Sequence, residues 1–117
     1  MSEHLAALRH HMRTARVSDY PHACRKVRKV VCCDGFSMSV QASSGHYCHP
    51  RNDEGPWETV EVGFPSIIEP LLWDYADEPG AWTDTVYRYV PIELVAAVIE
   101  VHGGLVEQER EEQWLAP

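Results

Sequence analysis

With 117 residues, 44% of them hydrophobic, the chain suits one compact domain around a single core and leaves no room for a second. No run of about 18 apolar residues is present to span a bilayer, and the opening MSEHLAALRHHMR lacks the apolar core of a signal peptide. The expectation is a cytoplasmic protein without a membrane partner, whose net charge of −8 is unevenly spread: residues 1–51 hold eight Lys and Arg against three Asp and Glu, and residues 52–117 hold two against fifteen.

Ser2 precedes Leu5, Leu8 and Met12 at helical spacing, so residues 3–16 read as an amphipathic helix capped by that serine. Its polar stripe holds Arg9, Arg13 and Arg16. A hairpin follows over residues 26–42: KVRKVVCC, then Asp34-Gly35, then Phe36, Met38, Val40 and Ala42 alternating with Ser37, Ser39 and Gln41. A two-residue turn at Asp34-Gly35 predicts Cys33 opposite Phe36, Val31 opposite Met38 and Val27 opposite Ala42, with Cys33 in the core and Cys32 pointing away. Residues 43–57 lack periodicity and read as a loop, long for so small a domain and therefore functional or flexible. Val60, Val62 and Phe64 predict a third strand near 58–64. Ser66-Ile-Ile-Glu69 has the form of a capping box opening a helix over 67–76, with Pro70 in its first turn. A fourth strand is predicted at 83–90, then a helix over 91–102 carrying Leu94, Val95, Val98, Ile99 and His102 on one side and stopped by Gly103. Residues 105–117 read as an acidic tail, either a helical extension, a flexible segment or a hook that docks on a partner. This order predicts an α+β single domain with a mainly antiparallel sheet of about four strands.

Three kinds of site can be read from the residues. The stretch around His46, Cys48 and His49 offers metal-ligand types, and zinc is the cofactor it would suit, with His22 and Cys24, or Cys32, completing a tetrahedron. There is no CxxC, and neither half matches a common finger spacing. In a reducing cytosol Cys24, Cys32, Cys33 and Cys48 are expected as thiols or ligands rather than a disulfide framework. Cysteine-dependent hydrolysis is a further alternative, with Cys48 as nucleophile, His46, His49 or His102 as base and Arg51 favouring the thiolate. No strand-to-helix elbow or glycine run for an oxyanion surrounds it. Nucleic-acid binding would use Arg25, Lys26, Arg28 and Lys29 with Tyr47, Trp57, Tyr87 and Tyr89, but the overall negative charge opposes phosphate contacts, so direct binding is not expected.

The segments DGFSMSVQASSGHYC with HPR, VEVGFPS, and DTVYRYVPIELVAAVIEVHGG together resemble a family of small uncharacterised proteins encoded by bacteriophages and prophages, across roughly residues 27–104. The family has no assigned activity, so the resemblance carries no site residue. It implies a bacterial host cytoplasm and, by analogy of class, an inhibitor of host machinery such as an anti-CRISPR protein. The leading expectation is thus a non-enzymatic binding module whose acidic surface, which could mimic a nucleic-acid backbone, and loop 43–57 engage a basic host protein. Glu107, Glu109, Glu111 and Glu112 would steer the partner, and Trp57 and Trp114 would anchor it. A homodimer is compatible with the same residues.

Overall fold

The structure is a computed structural model and describes residues 2–16 and 26–106. Helix α1 spans Glu3–Thr14, strands β1 to β4 span Val30–Val31, Ser37–Gln41, Thr59–Gly63 and Val86–Pro91, and helix α2 spans Ile92–Val101. A short 3₁₀ helix, Pro70–Tyr75, lies between β3 and β4. The strands form one antiparallel sheet in the order β1-β2-β3-β4, each paired with its neighbour in sequence. This is the expected α+β fold.

The helices form for the reasons visible in the chain. The Ser2 hydroxyl oxygen accepts from the N–H groups of His4 and Leu5, which would otherwise lack partners in the first turn of α1. Leu5, Leu8 and Met12 then present one buried stripe, and α2 answers with Ile92, Val95, Ala96, Val98 and Ile99. The two helices pack on each other and share one core with Met38, Val40, Val60, Val62, Tyr87 and Val90 of the sheet. At the end of α2 the Gly103 N–H donates to the Glu100 carbonyl and the Gly104 N–H to the Ile99 carbonyl, closing the helix with a six-to-one turn.

The hairpin register differs from expectation by one residue. Val30 lies opposite Met38, Val31 opposite Ser37, and the Cys32 N–H donates to the Phe36 carbonyl. The turn is a three-residue loop, Cys33-Asp34-Gly35, with Gly35 at φ +95° where a side chain would be strained. Because side chains alternate, a slip of one position exchanges the faces: Cys32 is buried in the core and Cys33 is exposed. The Gln41 side chain holds the strand end in the same register, donating to the Val27 carbonyl and accepting from the Val27 N–H.

Two other elements are corrected. The segment after β3 is a 3₁₀ helix from Pro70, and Glu69 itself is the cap, its Oε2 accepting from the Leu71 N–H. Ser66, expected to cap, instead accepts from the Ser37 N–H and ties the segment to β2. Strand β4 starts later than predicted, and its pairing with β3 shifts between Val60 and Val62. Tyr89, at φ +52°, sits in this irregularity, so that Tyr87 and Val90 both reach the core while Arg88 and Tyr89 face outward.

Candidate interaction surface

The segment that leaves β3 is held down at a few points and carries apolar side chains outward between them. Phe64 adopts φ +51°, a region uncommon outside glycine, and its N–H donates to the Thr85 carbonyl. Such a conformation persists only where the surroundings enforce it. Here Pro65 is buried and the Ser66 N–H donates to the Ser37 carbonyl, fixing the chain while Phe64 stays about half exposed. Further on, Leu72 enters the core and Leu71 and Trp73 remain on the outside. Phe64, Ile67, Ile68, Leu71 and Trp73 are each between 43% and 56% exposed, five large apolar side chains within ten residues. Trp73 stacks on Trp82, with ring centroids 5.2 Å apart, which extends the apolar area toward the following turn. Scattered exposed apolar residues are ordinary; here five fall within ten residues of one segment.

The polar anchor of the segment is His102. Its Nδ1 lies 2.7 Å from Asp34 Oδ2 and its Nε2 lies 2.7 Å from Glu69 Oε1. An ionised carboxylate can only accept, so the protonated ring, with both nitrogens donating, is the form that this pair of contacts favours. Burial pulls its pKa down, but the hydrogen bonds to Glu69 and Asp34, with their charges, outweigh this and raise it above the ordinary value. Asp34 is held below the ordinary carboxylate value by the Phe36 N–H and by His102. The Phe36 ring stacks flat on the imidazolium at 4.0 Å. One side chain thereby joins the hairpin turn, the end of α2 and the start of the 3₁₀ helix. His102 was legible as a residue on one side of α2, but its carboxylate partners lie 68 and 33 positions away and no local pattern points to them.

The loop 43–57 is built inward. The Ser43 hydroxyl is buried, accepts from the Gly45 N–H and lies 2.6 Å from His46 Nδ1. Burial lowers the His46 pKa, which suits a neutral ring accepting from that hydroxyl. The Cys48 thiol is buried and donates to the Ser43 carbonyl at 3.2 Å, and burial pushes its pKa up. His49 joins the sheet edge through its main chain, with its N–H donating to the Thr59 carbonyl, while its ring is exposed 3.6 Å from the Glu58 carboxylate. The three side chains thus serve three different local contacts, and no group of three or more metal-ligating side chains converges among the described residues. His102, the third candidate base, is occupied by Asp34 and Glu69.

Trp57, expected as an anchor for a partner, is instead part of the core at 5% exposure, with its Nε1–H donating to the Asn52 carbonyl. The loop folds over it so closely that a Cβ at Gly55 would lie 2.9 Å from the indole. Of the aromatic residues considered for base stacking, Tyr87 is buried with its hydroxyl donating to the Trp82 carbonyl, whereas Tyr47 and Tyr89 meet at 5.9 Å beside Arg88, whose guanidinium sits 4.6 Å from the Tyr47 ring centre. Glu107, Glu109, Glu111, Glu112 and Trp114, together with His22 and Cys24, lie outside the described residues. No helix among the described residues is long and apolar enough to cross a membrane. Comparison of the chain with protein-family models, with curated proteins and with solved structures finds no match.

Proposed function

We propose that the protein is a non-enzymatic binding module that contacts its partner through residues 64–73. The observation that carries this reading is the exposure of Phe64, Ile67, Ile68, Leu71 and Trp73 on a segment pinned from beneath by Pro65, Glu69 and Leu72. Preorganised apolar and aromatic side chains are the usual source of affinity at protein interfaces, because little ordering entropy remains to be lost. Residues 64–85 also carry Glu69, Asp74, Asp77, Glu78 and Asp84 with no Lys or Arg, so the patch has an acidic surround. A partner with an apolar depression rimmed by basic residues complements it. In the setting implied by the motif resemblance, that partner is a host protein and the module acts as an inhibitor in the bacterial cytoplasm.

The test is capture from host lysate by wild-type protein and by a variant carrying Phe64→Ser, Ile67→Ser, Leu71→Ser and Trp73→Ser. These side chains are about half exposed, while Pro65, Glu69 and Leu72 beneath them are kept, so the variant should stay folded with a lowered melting temperature and lose the captured partner. A folded variant that captures the same partner at the same yield removes residues 64–73 from the interface. If the wild type instead elutes as a dimer and the variant as a monomer, the partner of this surface is a second copy of the chain rather than a host protein.

A further inference from the structure

A groove runs between α1 and the loop 50–58. One part, about 180 Å³, is walled by Met12, Pro56, Trp57 and Ile92, with Arg9 and Arg13 of α1 at its polar end. A second part, about 370 Å³, continues past Arg9 to His49, Pro50 and Glu58. Arg9 therefore stands where the two parts meet. Its Nε is buried and has no hydrogen-bond partner among the described residues, and Arg9 joins no ion pair among them either. A guanidinium is always charged and offers its N–H groups in a planar fork matched to a two-oxygen acceptor. What faces the groove is a guanidinium that lines both parts and has no carboxylate partner among the described residues, an arrangement that suits an anionic group entering from the groove.

We infer that this groove binds a small organic monocarboxylate, with the carboxylate on the Arg9 fork and a short apolar body against Trp57, Pro56 and Met12. Charge selects the class. Glu54 lines the smaller part and Glu58 the larger, so the two arginines are matched by two acids, and a dianion such as a phosphate would meet more repulsion than a singly charged carboxylate. Size selects the body: the smaller part lies below the usual range for drug-sized ligands and suits one ring or a short branched chain. The site involves none of residues 64–73, so it stands independently of the proposed contact surface.

The probe is benzoate, titrated into the full-length ¹⁵N-labelled protein while the Nε–H signals of arginine and the Nε1–H of Trp57 are followed by NMR. Saturable shifts of Arg9 and Trp57 are expected, with half-saturation near about 1 mM, as for one charge-assisted contact with a small apolar body. Benzamide, neutral and of the same shape, should bind about tenfold more weakly or not at all, and Arg9→Lys, which keeps the charge and removes the fork, should weaken benzoate by about tenfold. Wild-type protein whose Arg9 and Trp57 signals stay still overturns the site, and this reading does not depend on any variant folding. Equal binding of benzamide overturns the charge argument, tighter binding of inorganic phosphate overturns the carboxylate class, and a folded Arg9→Lys protein that binds benzoate as the wild type does removes Arg9 from the site.

Discussion

Removing Glu69 tests the central structural claim, that one charged hydrogen-bonded group binds three distant parts of the chain. Glu69→Ala deletes the acceptor of His102 Nε2 and the cap of the Leu71 N–H together. Breaking a buried pair by removing one partner costs about 3–5 kcal/mol, because the remaining charge is left without compensation. His102 keeps Asp34, whose side chain is 50% exposed and still accepts from Nδ1, so the lower end applies, about 3 kcal/mol. Glu69→Gln retains an acceptor oxygen and loses only the charge, for which about 1 kcal/mol is expected. The cost also carries a pH signature. The folded-state pKa of His102 is raised, so its stabilisation is complete below the ordinary value of 6.5 and is lost as pH rises through the folded value. Urea unfolding of wild type and Glu69→Ala at about pH 6 and about pH 8.5 should therefore give a larger difference at the lower pH. A difference under about 1 kcal/mol at the lower pH, or the same difference at both, would refute the charged clamp.

Two further outcomes follow from other parts of the fold. Alkylation of the native protein with iodoacetamide, read by peptide mass spectrometry, should modify Cys33 quickly and spare Cys32 and Cys48, since Cys33 alone of the three is exposed and burial raises the Cys32 thiol to about 11; rapid labelling of Cys32 would restore the register rejected above. His11 behaves oppositely to His102: burial lowers its pKa while its Nε2 stays 2.8 Å from the Arg28 carbonyl, so its contribution is present above the ordinary value and lost as pH falls. The urea midpoint should drop on acidification below about pH 6.5, and less steeply in His11→Gln; an equal slope would remove His11 as the source.

Much of this architecture can be read from short-range pattern, and the misreadings have physical causes. The Ser2 cap with Leu5, Leu8 and Met12, the alternation through Met38 and Val40, and the apolar stripe of α2 are local signals that the fold leaves intact. Asp34-Gly35 marks a turn correctly, but the dipeptide suits both a two-residue turn and the end of a three-residue loop, and only the packing of Cys32 decides between them. The helix expected over 67–76 starts later because Pro70 and the Glu69 cap set its first turn, and Ile67, Ile68 and Leu71 stay outside. The roles of Arg9 and of the His102 clamp depend on residues brought together from distant parts of the chain, which spacing along the sequence does not encode.

The packing of α1 against α2 also bears on how the chain acquires its shape during synthesis. Sheet pairing joins neighbours in sequence, so each hairpin can close as soon as its second strand leaves the ribosome. Helix α1 emerges before α2, but its buried stripe rests on that later helix, residues 92–101. Until that helix appears, Leu5, Leu8 and Met12 lack the packing surface that α2 supplies, and apolar side chains left open in this way are what chaperones and other chains meet. Helix α1 is therefore made well before the helix that secures it.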